Sequence, residues 1–283
     1  MTTTPEMMNQ ERIDALASEI ANVGYDGITQ FDRAEPEHRV FTTIVDTYGA
    51  TDHVYLLAVC AGIVDYQLLG DAQRFWAELE RVTVGHGQID AIDDIQAILG
   101  DFMDASVNQR LNQQKRFRLG KLFDGPFVEW FLESHTAVPP VQIWEELAAA
   151  LDNKMHKKTI IFSMKVYDIL HLIDNGEYAS FPTDIPIPCD LQVERVARTA
   201  GLVETDDTDV VMDAWAAVAD AVSEELGRPV SLLRIDSIVW QAGQVIGKSG
   251  QATARRELVD HFTEVGIEQA RAEPLASELI TSR

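Results

Sequence analysis

Lysine and aspartate carry the chemistry this sequence offers. Lys158 opens the apolar run KKTIIFSMKVYDILHLI, and Lys165 lies seven residues on, two turns up the same helical face, with Phe162 between. A lysine at the mouth of a buried helix is costly unless it is paired or used. Desolvation lowers its pKa, and the neutral amine is then a nucleophile near pH 7. An acidic partner must come from elsewhere in the chain. The Pro-rich break FPTDIPIPCDLQVERVA supplies one, with Asp190 after the rigid IPIPC segment at the N-cap of the next helix. Capping alone would also account for Asp190. Lys158, for its part, also reads as a solvated helix-entry lysine beside Lys157.

Other chemistries fail on residue type or spacing. GKS at 247–249 has the ending of a phosphate loop, but the earlier glycine would fall at Ala242, and a helix precedes it. The seven histidines show no metal-ligand spacing, and no Gly-x-Ser-x-Gly elbow is present. Two cysteines, Cys60 and Cys189, cannot build a disulfide framework or a four-cysteine zinc or iron–sulfur site. No metal and no cofactor is expected.

The elements that must position these residues read as helices nearly throughout. Pro36 opens EPEHRVFTTIVDTYG, which closes on Gly49. DHVYLLAVCAGIVDYQLLG follows, then DAQRFWAELERV with Phe75, Leu79 and Val82 as its stripe, then IDDIQAILGDFMDASV with a break at Gly100. VQIWEELAAALD starts after Pro139–Pro140, and the run from Lys158 is apolar almost all round, which marks a buried central helix. Beyond the prolines, LQVERVARTAG puts Val193, Val196, Ala197 and Ala200 on one face with Gly201 as its cap. VVMDAWAAVADAVSEEL, LLRIDSIVWQAGQVI and TARRELVDHFTEV complete the set. The expected architecture is all-α, one unit over residues 1–283, with two helical lobes around the buried helix.

Charge sets the background. The chain has 283 residues, with 46 acids against 23 bases, a net charge of −23, and seven lysines against 16 arginines. Such a surface suits a very salty cytoplasm, where the screening length falls to about 3 Å and self-repulsion costs little. No apolar run reaches the roughly 18 residues that span a bilayer. The polar start predicts no signal peptide, so a soluble cytoplasmic protein is expected. Against this background the cations cluster. Arg110, Lys115, Arg116, Arg118 and Lys121 fall within 12 residues free of acids, and Lys154, Lys157, Lys158 and Lys165 within another 12. Each block alone reads as a solvated loop or helix end; together they form a basic strip for phosphates.

HKKTIIFSMKVYDI, then IPIPCDLQVERVARTAGL, then LLRIDSIVWQAG resemble the archaeal 8-oxoguanine DNA glycosylase/lyases, a divergent branch of the helix-hairpin-helix glycosylases. The lysine and, 32 residues on, the aspartate of DIPIPCD are its specific parts, within a hairpin and Pro/Asp motif at about 135–201. The resemblance implies a helix-hairpin-helix glycosylase fold and a DNA-repair enzyme that excises 8-oxoguanine and cleaves the strand at the abasic site. It places Lys158 as Schiff-base nucleophile and Asp190 as catalytic aspartate. It assigns Trp76 and Trp240 to enclosing the flipped base, Asp236 to contacting it, and Lys165 to the pocket. Two positions depart from the family: Glu37 stands where a glutamine is usual, and Asp65 where a serine is, each adding an acid near the pocket. The N7 proton of the oxidised base needs an acceptor, for which Asp236, Glu37 and a backbone carbonyl near Pro188 all qualify. The basic residues Lys115, Arg116, Arg118, Lys121 and Lys157 are expected on the DNA backbone. The partner implied is single- or double-stranded DNA containing 8-oxoguanine, with no membrane and the protein a monomer. The competing reading is a non-catalytic DNA-binding protein on the same fold.

Overall fold

The computed structural model describes residues 7–249 and 251–281. Among them are fifteen α-helices, with one isolated bridge, Met8 to Val203. The contacts divide the chain into two compact units, the first made of residues 1–34 and 182–283 and the second of 35–181.

The first unit begins with α1 (Gln10–Val23) and α2 (Tyr25–Ala34). The second unit holds α3 (Pro36–Tyr48), α4 (Asp52–Val64), α5 (Ala72–His86), α6 (Ile92–Asp104), α7 (Asn112–Phe123), α8 (Phe127–Ser134), α9 (Pro140–Ala150) and α10 (Lys158–Asn175). The chain then returns to the first unit with α11 (Leu191–Thr199), α12 (Thr208–Leu226), α13 (Leu232–Lys248), α14 (Gln251–Val265) and α15 (Gln269–Leu279).

In the second unit α10 is the scaffold. It packs on α4, α3 and α9, and buries Ile160, Ile161, Met164, Val166, Ile169 and Leu170. Gly62 sets how close α4 comes. A Cβ there would stand 2.6 Å from the Ser163 Cα, and the Ser163 hydroxyl donates to the Val59 carbonyl at 3.0 Å. α3 starts on Pro36 and ends at Gly49 as its sequence requires, and α5 buries Phe75, Leu79 and Val82.

In the first unit α1 packs on α12 and α15, and α13 on α11 and α2. Two expectations need correction. α6 runs unbroken through Gly100, because a lone glycine costs a helix only about 1 kcal/mol and Ile95, Ile98, Leu99 and Phe102 are buried around it. The run from Asp52 stops at Val64 rather than Gly70, since Asp65, Tyr66 and Gln67 carry no apolar stripe onward and Gln67 turns to φ 49°.

Candidate functional site

Lys158 is the first residue of α10, half-buried, directly after the turn that leaves α9. That turn is tightly tied. The Asp152 amide donates to the Ala149 carbonyl at 3.0 Å and the Asn153 amide to Ala148 at 2.9 Å, with Asp152 in the left-handed region at φ 49°. The Trp144 indole donates to the Met155 carbonyl at 2.8 Å, so α9 itself holds the hairpin. Lys157 and Lys154 are exposed on the turn.

Two turns into α10, Lys165 is fully buried, with its ammonium 3.7 Å from the Glu35 carboxylate, itself 2% exposed. Glu37 is equally enclosed at the start of α3, and one of its oxygens, Oε2, has no hydrogen-bond partner. Burial raises its carboxyl well above the ordinary range; Glu35 and Asp65 push the same way, and Lys165 opposes them. Burial thus favours the neutral form of Glu37.

Trp76 is fully buried, with its ring edge-on to Phe41 and Phe75 and tilted against Phe162. It offers no open face to a base in this conformation, because α5 turns it into the core of the unit. Its indole nitrogen has no hydrogen-bond partner.

The basic block folds as α7. Lys115 is not a phosphate ligand here: it is fully buried, donates to Asn108 Oδ1 at 2.9 Å, and lies over the Tyr66 and Phe75 rings. Burial brings its pKa down to about 8. The helical period explains the misplacement, since residue 115 falls on the same inner face as Leu119 and Leu122. Arg116 pairs with Asp104 on the surface. Arg118 donates to the Thr159 hydroxyl at 2.8 Å, tying α7 to the residue after Lys158, and Lys121 stays on the outer face over the Phe117 ring.

In the first unit the segment before α11 is extended, with Ile185, Ile187 and Pro188 buried. Asp190 caps α11: its Oδ1 accepts from the Gln192 amide at 2.8 Å and the Val193 amide at 3.1 Å. α13 carries Asp236, buried, and Trp240, half-buried, one turn apart. Gly243 lets α13 reach α11, for a Cβ there would lie 2.6 Å from the Gln192 Cβ. α13 is also fixed to α2 through Arg234 and Ser237, which meet Asp32 at 2.8 and 2.6 Å. Lys158, Lys165, Glu37, Asp65 and Trp76 thus belong to one unit, and Asp190, Pro188, Asp236 and Trp240 to the other.

Glu35, Trp144 and Thr159 were not singled out from the sequence. A tryptophan one turn into the helix that starts at Pro140 and a second acid beside Pro36 are the signals that could have marked two of them. Among the described residues no cluster of histidine, cysteine and acids is arranged to hold a metal ion, and no helix is long and apolar enough to cross a membrane.

A lysine thus heads a helix after a tied hairpin, and an aspartate caps the helix after a proline-rich segment. Residues 17–273 match the AGOG family, described as N-glycosylase/DNA lyase, and the chain belongs to that family. Its relatives include the N-glycosylase/DNA lyases of Pyrobaculum aerophilum, 22% identical over 85% of this chain and 89% of that one, and of Aeropyrum pernix, 23% identical over 95% of each. That of Methanopyrus kandleri is 26% identical over 72% of this chain and 78% of its own. The fold matches the crystal structure of the Pyrobaculum aerophilum 8-oxoguanine DNA glycosylase in complex with 8-oxoguanosine. The TM-score is 0.66 at 21% identity, covering 84% of this chain and 90% of that one.

Proposed function

We propose that this chain excises 8-oxoguanine from DNA and then cuts the strand, with Lys158 as the nucleophile and Asp190 as the assisting carboxylate. The observation that carries the reading is Lys158 at the head of the buried α10, on a hairpin locked by Trp144, inside the span that matches the family. The target base is drawn out of the stack, at a few kcal/mol of unstacking. The neutral Lys158 amine attacks C1′, and the C1′–N9 bond breaks with its electron pair leaving on the base, which takes up a proton. The amine loses a proton as the sugar ring opens to an imine. Loss of a C2′ proton then expels the 3′ phosphate oxygen by β-elimination. Asp190 assists the deprotonation and stabilises positive charge on the sugar, while its bonds to two α11 amides fix its orientation. No step needs a metal or cofactor.

Trp240 stacks on the flipped base in this reading, a contact of roughly 1–3 kcal/mol. Asp236, Glu37 or a carbonyl near Pro188 accepts the N7 proton. Lys165 sets the charge of the pocket around Glu37, with Asp65 at its edge. Lys157, Arg118 and Lys121 face the phosphates, on single- or double-stranded substrate, and the protein works as a monomer. The acid excess suits a cytoplasm of molar salt, in which repulsion is screened.

Borohydride trapping tests the nucleophile, because an amine mechanism passes through a reducible imine. Wild type should cross-link to an 8-oxoguanine duplex, Lys158→Gln should not, and Lys157→Gln should trap nearly as wild type. Undiminished trapping by Lys158→Gln would move the nucleophile to another lysine. Trapping by no variant, with DNA still bound, would leave a non-catalytic binder or, if base is still released, a monofunctional glycosylase.

A further inference from the structure

α10 opens without a cap of its own. Lys157 holds the N-cap position, and an ammonium cannot accept from the first-turn amides, so its side chain makes no capping bond. At the same position α1, α4, α5, α11 and α12 carry Asn9, Thr51, Asp71, Asp190 and Asp207, whose side chains do accept. Helix ends fray, and the first turn of α10 is where Lys158 stands.

The head of α10 is fastened from α7 instead. Arg118, half-buried after the exposed Arg116 and Phe117, donates through Nη2 to the Thr159 hydroxyl at 2.8 Å. Its guanidinium also lies over the Tyr66 ring, 5.5 Å from the centroid. Tyr66 follows the end of α4, with its amide on the Val64 carbonyl at 2.9 Å. Thr159 carries the tie inward. Its carbonyl accepts from the Ser163 hydroxyl at 3.1 Å, and that hydroxyl also reaches the Val59 carbonyl of α4 at 3.0 Å. Arg118 thus joins α7 and the end of α4 to the second residue of α10, one position beyond Lys158. The contrast with Arg116 is informative: it pairs with Asp104 at the surface, whereas Arg118 gives a donor to a neutral hydroxyl. Ordering a long side chain costs entropy, and what this one orders is the turn of the nucleophile.

We propose that Arg118 is a positioning residue for the nucleophile: through Thr159 it gives the head of α10 the fastening that a cap would supply, and so holds the Lys158 amine on its line of attack at C1′. The proposal rests on the glycosylase reading and on Lys158 as the amine that reacts. A guanidinium has five N–H donors, so the inward bond is compatible with a phosphate contact by the same side chain. Held reactants gain rate through geometry, and a small displacement of the attacking group forfeits it.

The test compares Thr159→Val, Arg118→Met, their double variant and Arg118→Lys. Two rates are read: single-turnover excision of 8-oxoguanine from a duplex at saturating protein, and borohydride trapping on a duplex with a preformed abasic site. Thr159→Val removes the bond and keeps every charge. Its maximal rates should fall about tenfold. Its duplex Kd should stay within about twofold of wild type, with an unchanged salt slope. Arg118→Met should lose as much in maximal rate, and the double variant no more than either, as one shared interaction requires. Arg118→Lys should recover part of the rate, since an ammonium donates to a hydroxyl but lays no flat face on Tyr66. Wild-type rates in Thr159→Val would overturn the clamp, whatever affinity Arg118→Met loses with a phosphate contact. Additive losses in the double variant would overturn it as well. Should Arg118→Met fail to fold, Thr159→Val and Arg118→Lys still decide. Undiminished trapping by Lys158→Gln would remove the nucleophile reading itself, a failure seen before any clamp variant is measured.

Discussion

In the first unit Asp32 and Arg234 are buried together at 2.8 Å, and Ser237 donates to the other carboxylate oxygen at 2.6 Å. In the second unit Glu35, Glu37 and Asp65 gather around Lys165, whose ammonium stands 3.7 Å from Glu35, and one Glu37 oxygen has no hydrogen-bond partner. The first cluster joins an acid and a base by short bonds. The second has an excess of acid held where acid is uncomfortable. A closed pair of that kind fastens helix to helix, here α2 to α13. A buried carboxyl oxygen without a hydrogen-bond partner, as at Glu37, costs stability instead of supplying it.

Breaking the closed pair should have the largest effect. Asp32→Leu leaves Arg234 buried without its carboxylate, and a loss of about 3–5 kcal/mol in urea unfolding is expected. A loss under 1 kcal/mol would erase the contrast between the clusters.

Lys115 gives the next largest change. The unfolded chain keeps this proton up to the ordinary value of 10.5, whereas the folded protein releases it near pH 8. Between those values the unfolded state binds more protons, so wild-type stability rises with pH. Lys115→Met has no such proton to lose. Its advantage at pH 7, on the order of 1–3 kcal/mol before the lost Asn108 bond is counted, should vanish near pH 10. A pH-independent difference in melting temperature would show that the amine is not desolvated.

The smallest effect sharpens the comparison most. Glu37 has a raised folded pKa, so the folded state holds a proton that the unfolded state has already lost. Wild-type stability therefore falls as pH rises from the ordinary carboxyl value through the folded one. Glu37→Gln mimics the neutral acid. It should melt together with wild type at pH 4 and roughly 2–4 °C higher at pH 8, the shift that about 1 kcal/mol produces in a unit of this size. Equal melting at both pH values would show that the fold does not favour the neutral form of Glu37.

What the sequence disclosed follows from local rules. The start of α3 at Pro36, the cap role of Asp190 and the apolar α10 are written in adjacent residues, so they were legible. α7 was not, because its stripe is thin: Leu119 and Leu122 share the inner face with a lysine. α15 was hidden by Pro274, which sits inside it. At the candidate site, Lys158 and Asp190 are singled out by motif, and the buried charges around Lys165 arrive by tertiary contact. Glu35 reaches Lys165 across 130 residues of chain, and no local pattern announces that pair. Lys115 shows the converse error: composition marks a cation for the surface, while helical phase turns it inward.

The discontinuity of the first unit has a consequence for synthesis on the ribosome. The second unit is one continuous stretch and can collapse as soon as Phe181 has emerged. α1 and α2 leave the exit tunnel before the second unit, yet α1 packs on α12 and α15, which leave it after that unit. Ile13, Leu16, Ile20 and Phe31 must wait, uncovered, while every helix from α3 to α10 is made. The packing of α1 is thus completed only when α15 has been made, and its aggregation risk and chaperone demand fall on the interval before that.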